Sequence, residues 1–159
     1  MIIIVMGVSG SGKTKIGQQL AEGLNFQFRD ADEFHSADNI EKMGNNIPLT
    51  DEDRQPWLET MQAEIERWLE DNQNVVLSCS ALKEKYRQML WRDPDQMKLV
   101  YLQGSYTLIA ERLKNRQDHF MKADLLKSQF SDLEEPKEGI WVDISQTPSE
   151  IVREIREVL

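Results

Sequence analysis

An α/β fold, built on a five-stranded parallel sheet with helices on both faces, follows from three observations. Five short apolar runs alternate with helical patterns along the chain. The runs are rich in β-branched residues and read as strands buried on both sides, which is the habit of parallel sheets. The first of them, Ile2-Ile3-Ile4-Val5-Met6, leads straight into a glycine-punctuated bend, Gly7 to Thr14, that opens a helix.

The elements follow in order. Strands are expected at Ile2–Met6, Asn25–Arg29, Asn74–Ser78, Lys98–Leu102 and Gly139–Ile144, each a run too short for a helix of ordinary length. Helices are expected at Lys13–Gly23, Phe34–Met43, Asp53–Asp71, Ala81–Trp91, Tyr106–Asn115, Ala123–Leu133 and Ser149–Leu159. In the longest, Trp57, Leu58, Met61, Ile65, Trp68 and Leu69 form one stripe with a 3.6-residue period, so both tryptophans read as packing residues, with stacking in a ligand site as the alternative. Asp51, Glu52 and Asp53 stand where that helix dipole favours negative charge, and Pro56 is tolerable only near the first turn. A single domain over residues 1–159 is expected, with no internal repeat or long linker.

Composition narrows the function. The formal charge of −9 disfavours a nucleic-acid binder, which needs a basic surface for phosphates. No run approaches the ~20 apolar residues of a membrane helix, and the five-residue apolar start, without a basic leader, reads as a strand and not a secretion signal. The lone Cys79 excludes an internal disulfide, fits a reducing cytoplasm, and reads as a small buried residue. A cytoplasmic location is expected.

The bend carries the chemistry. Gly7-Val8-Ser9-Gly10-Ser11-Gly12-Lys13-Thr14 fits G-x-x-x-x-G-K-[ST] between a strand and a helix, the context that pattern needs. Its glycines let successive backbone N–H groups turn inward around phosphates, and the helix N-terminus adds partial positive charge. Lys13 can reach the β- and γ-phosphates and the Thr14 hydroxyl can ligate Mg²⁺. The prediction is a P-loop NTPase fold that binds ATP. Asn115-Arg116-Gln117-Asp118 resembles a guanine-binding motif but follows a helical pattern, so a switch GTPase is disfavoured. Val75-Val76-Leu77 ends in Ser78-Cys79-Ser80, without the Asp that many P-loop ATPases carry there. The second strand instead ends in Asp30-Ala31-Asp32, offering one carboxylate to orient Mg²⁺ through water and one to accept a hydroxyl proton. Arg112 and Arg116 share a helical face leading into a polar stretch suited to a mobile lid, at about 116–135, that keeps water from the γ-phosphoryl group. These features together point to a small-molecule kinase.

Three further stretches sharpen that reading. Asp30-Ala31-Asp32-Glu33-Phe34-His35, Asn39-Ile40-Glu41-Lys42-Met43 and Pro48 through Leu58 resemble the acceptor-site signature of the gluconokinase family. Cys79-Ser80-Ala81-Leu82-Lys83 with Tyr86-Arg87 is similar to that family's segment after the third strand. His119-Phe120-Met121-Lys122, Leu125-Leu126, Gln129-Phe130 and Leu133-Glu134-Glu135-Pro136 resemble its lid and the helix beyond. The resemblance runs from Met1 to about Glu150. Shikimate kinases share the fold and the Asp-x-Asp pair, but not these other segments.

The resemblance implies ATP-dependent phosphorylation of D-gluconate at its 6-hydroxyl, giving 6-phospho-D-gluconate and ADP, and a homodimer. It implies Asp32 as base or orienting group and Asp30 as the water-mediated Mg²⁺ contact, with the roles open to exchange. A polyol acid needs cations and hydroxyl-directed groups, and Arg54 is the first candidate for its carboxylate because a guanidinium binds it bidentately. Lys83, Arg87 and His35 come second. Arg116 is expected on the β/γ-phosphates, Arg112 near adenine, and His119, Lys122 and Gln129 over the acceptor. Two positions depart from the family pattern beside the acceptor pocket. Ser36-Ala37 follows His35 where Pro is common, and Asn46 stands where Gly is usual, although Asn also adopts positive φ. Alternatives are a kinase for a related sugar acid or polyol and a non-catalytic nucleotide-binding regulator.

Overall fold

Apolar character on both faces of the strands dictates where the helices go. The structure, a computed structural model, describes residues 1–115 and 123–159. Strands β1 (Ile2–Met6), β2 (Gln27–Asp30), β3 (Val75–Ser78), β4 (Met97–Gln103) and β5 (Ile140–Asp143) form a parallel sheet in the order β2-β3-β1-β4-β5. Side chains of β1 alternate between faces, as a period of two requires. Ile3 and Val5 pack with α1 (Lys13–Leu24), α5 (Tyr106–Lys114) and α7 (Pro148–Val158), through Ile16, Leu20, Ile109, Ile151 and Ile155. Ile2, Ile4 and Met6 pack with α3 (Asp51–Glu70) and α4 (Glu84–Leu90), through Trp57, Met61, Ile65, Trp68 and Leu90. The remaining helices are α2 (Ala37–Gly44) and α6 (Ala123–Asp132). Among the described residues no helix is long and apolar enough to cross a membrane.

Register positions the functional edge. Ser78 pairs with Val5 on one side and Asp30 on the other. The carboxyl ends of β1, β3 and β2 therefore finish side by side, and the glycine bend and the Asp30-Ala31-Asp32 turn leave the sheet from the same edge.

Three helix starts differ from expectation by two or more residues, each for a local reason. The helix expected from Phe34 begins only at Ala37. Asp30 caps a short 3₁₀ turn over Ala31–Phe34 by accepting from Asp32 N at 2.9 Å, and Ser36 then caps α2 by accepting from Asn39 N at 3.2 Å. Helix α3 starts two residues before the expected Asp53, because Thr50 and Asp53 form a reciprocal capping box. Pro56 thus lies beyond the first turn and offers no N–H to the carbonyl of Glu52. Helix α4 starts at Glu84 and not Ala81, whose φ of 43° is left-handed.

With Pro56 weakening the ladder, the start of α3 leans on its cap. Thr50→Ala should cost about 1 kcal/mol in urea unfolding, with an unchanged midpoint contradicting that dependence.

Candidate active site

A cleft of about 250 Å³ opens at the carboxyl edge of the sheet. One wall is the glycine bend. Gly10 and Gly12 have φ of 83° and 98°, the left-handed range that glycine tolerates, and Gly12 is the N-cap of α1. A Cβ on Gly10 would also stand 2.9 Å from Leu113 of α5, so the bend is packed as well as turned. Ser11 N donates to Val8 O at 3.2 Å, closing the loop on itself. Lys13 Nζ donates to Val8 O at 3.1 Å. Burial pulls the Lys13 pKa down, and the nearby charges of Asp32 and Asp30 oppose that shift.

The facing wall comes from the turn after β2 and from α3. Asp30 Oδ2 accepts from Thr14 Oγ1 at 3.3 Å, and burial raises the Asp30 pKa. Two oxygen donors thus meet at the mouth of the bend, the donor type a hard divalent cation takes. Asp32 lines the cleft beside them. The His35 ring stacks on Trp57, centroids 4.2 Å apart and planes 11° from parallel. Trp57 Nε1 in turn donates to Ala31 O at 2.8 Å, tying α3 to the turn that carries Asp32. Arg54 Nη1 donates to Tyr86 Oη at 2.8 Å and to Asp132 Oδ2 at 3.2 Å. From α6, Gln129 Oε1 accepts from Ser9 N at 2.7 Å.

The glycine bend and the turn after β2 thus share one opening, and comparison with known proteins gives the family. The family model for shikimate kinase matches residues 9–159. The probable gluconokinase of Dictyostelium discoideum is 45% identical over 169 residues, covering 98% of this chain and 84% of that protein. The chain belongs to the shikimate kinase family, among the gluconokinases. Two solved structures share its form. A gluconokinase from Sinorhizobium meliloti 1021 superposes with a TM-score of 0.85 at 46% identity, covering 96% of this chain and 87% of that one. An unliganded sugar kinase from Janibacter sp. HTCC2649 gives 0.91 at 40%, covering 98% and 92%. The chain is therefore a kinase of a family that uses ATP.

The gluconokinase-like signature converges on this cleft. Ser9, Gly10, Gly12, Lys13, Thr14, Asp30, Asp32, His35, Arg54 and Gln129 all line it, while Gly7, Val8 and Ser11 form the bend behind. Three candidates are engaged elsewhere. Arg87 is buried and donates to the carbonyls of Ala81, Leu82 and Glu134, pinning the left-handed turn at Ala81, so it is a structural residue and not an acceptor-site cation. Lys83 pairs with Asp51 at 3.0 Å, outside the cleft lining. The Asp51 carboxylate also accepts from Lys85 and Tyr86, and these three donors hold its pKa well below the carboxylate range. Arg112 donates to Ile144 O, binding α5 to the segment after β5. Arg116, His119 and Lys122 lie outside the described residues.

Residues that the sequence reading passed over also shape the cleft. Trp57 reads as packing because its helical stripe is apolar, yet one face of its indole carries His35. Asp132 and Tyr86 hold Arg54 across three helices, a pairing that no local spacing announces. Ser78 and Ser80 line the floor where the Asp of other ATPases is missing. Asn46 has φ of 62°, so the turn usually made by Gly survives.

Burial, and then the positive charge of Arg54, lower the His35 pKa from 6.5 to about 4. The folded value lies below the ordinary one, so this group's contribution to stability is complete above pH 6.5 and is lost as pH falls toward 4. NMR titration should give His35 a midpoint near 4; an ordinary histidine midpoint would contradict its burial against Trp57.

Proposed function

We propose that the chain transfers the γ-phosphoryl group of ATP to the 6-hydroxyl of D-gluconate, yielding 6-phospho-D-gluconate and ADP. The observation that carries this reading is one cleft lined by Lys13 and the glycine bend on one side and by Asp32, His35 and Arg54 on the other. The names of the relatives, gluconokinases over nearly the full chain, support the acceptor.

The roles follow from chemistry. The hydroxyl oxygen forms the new bond to the γ-phosphorus as the bond to the ADP oxygen breaks, and Asp32 receives the hydroxyl proton. Lys13 leaves the Val8 carbonyl to neutralise charge on the transferred group. Thr14 and Asp30 are the residues that would hold Mg²⁺, which supplies neutralisation of the β- and γ-phosphates when bound. Arg54 spends Nη1 on Tyr86 and Asp132, which among the described residues leaves Nε and Nη2 as a fork for the gluconate carboxylate. The helix dipole of α1 favours the same anionic end of the site.

The test is ADP release over a panel of D-gluconate, other aldonates, polyols, shikimate and nucleoside monophosphates. Gluconate should give the highest kcat/KM, and preference for another acceptor overturns the assignment. Lys13→Ala and Asp32→Ala should each lower kcat at least about a hundredfold with an unchanged circular dichroism spectrum. Near-normal turnover in Asp32→Ala removes that residue from the proton transfer. Arg54→Ala should raise KM for gluconate about tenfold or more while leaving KM for ATP in place; an unmoved gluconate KM rejects the carboxylate fork.

A further inference from the structure

The His35 imidazole has one protonated nitrogen, and its neighbours decide which. Asn39 is the third residue of α2 and only 5% exposed. Its Nδ2 donates to the backbone carbonyl of Asp53 at 2.8 Å. The flipped amide would set oxygen against oxygen there, so the NH₂ group faces Asp53. The same Nδ2 lies 3.3 Å from His35 Nδ1. An amide NH₂ only donates, so Nδ1 must be the bare, accepting nitrogen. Burial and the charge of Arg54 keep the ring neutral, and a neutral imidazole with Nδ1 bare carries its proton on Nε2. Stacking on Trp57 fixes the ring plane, and Nδ1 is the only ring nitrogen bonded to protein among the described residues.

We infer that Asn39 is a positioning residue that locks His35 in the Nε2–H tautomer, so that the ring, which lines the cleft, keeps one hydrogen-bond donor for a hydroxyl oxygen of the acceptor molecule. The ligand named here rests on the proposed function; the tautomer does not. Two consequences follow. His35 cannot serve as the base for the reacting hydroxyl, which leaves that task to Asp32. The wall also presents both kinds of group, since Asp32 accepts and His35 donates, and a substrate lacking an oxygen opposite His35 loses one bond.

The test uses the full chain labelled with ¹⁵N and multiple-bond ¹H–¹⁵N spectra of the imidazoles near neutral pH, with His119 assigned through His119→Gln. Wild type should show a bare Nδ1 and a protonated Nε2 at His35. Asn39→Asp, which puts an acceptor opposite Nδ1, should move the proton to Nδ1. A protonated Nδ1 in the wild-type spectrum overturns the inference, whether or not the variant folds. Kinetics reads the donor separately. His35→Phe keeps a ring on Trp57 without the N–H and should raise KM for gluconate about tenfold, the worth of one hydrogen bond, with KM for ATP unchanged. His35→Gln, whose amide reaches the Nε2 position, should restore most of that loss. An unmoved gluconate KM in His35→Phe overturns the donor role. Absence of any gluconate turnover in wild type instead defeats the proposed function and leaves the spectral result standing.

Discussion

Everything at the site depends on the register of three parallel strands. Because Ser78 lies between Val5 and Asp30, the chain leaves β1 and β2 at one edge, on either side of β3. Peptide groups of the glycine bend and carboxylates of the Asp-Ala-Asp turn are thereby brought together, close enough for Thr14 Oγ1 to donate to Asp30 Oδ2. A one-residue slip of β2 would turn its side chains to the opposite face and break the Thr14–Asp30 bond. The apolar faces that fix this register, Ile3 and Val5 against α1 and Ile4 and Met6 against α3, are thus part of the catalytic design.

The second wall is held less by the sheet than by a chain of polar contacts on α3. Trp57 reaches back to Ala31, His35 rests on Trp57, Asn39 bridges His35 to Asp53, and Asp53 caps the helix through Thr50. Lys42 pairs with the same Asp53 at 2.8 Å and holds its pKa down to about 2. Between β2 and α3 the chain forms a 3₁₀ turn, the short helix α2 and a loop with few buried apolar residues, so hydrogen bonds do much of the work that packing does elsewhere. Helix α6 supplies acceptors to both halves of the cleft, Gln129 to Ser9 N and Asp132 to Arg54. Donors aimed into a partly enclosed cleft would otherwise carry a desolvation cost.

Much of this was legible in the sequence. Alternating apolar runs marked all five strands, and the pattern from Gly7 to Thr14 marked the bend that forms one wall of the cleft. Asp30, Asp32, His35 and Arg54 sit in short local signatures, and all four line the cleft. Arg87 was not legible as a structural residue: a basic residue four beyond Lys83 looks like a solvated cation, and only the left-handed turn at Ala81 explains its burial on three carbonyls. Trp57 and Asp132 escaped for a related reason. Their roles rest on partners 22 to 78 positions away, and helical periodicity carries no information about such pairs. The helix starts that shifted most, at Ala37, Asp51 and Glu84, were set by caps or a positive φ and not by hydrophobic pattern.

The central claim is geometric: the triphosphate and the acceptor hydroxyl meet between the ends of β1 and β2, with Asp32 directed at the hydroxyl. A crystal structure of the chain with a non-hydrolysable ATP analogue and gluconate tests it most directly. The account predicts an Asp32 carboxylate oxygen about 2.6–3.2 Å from the 6-hydroxyl, with the phosphates wrapped by the bend from Ser9 to Thr14. Gluconate bound elsewhere, or Asp32 turned out of the cleft with both ligands in place, contradicts it.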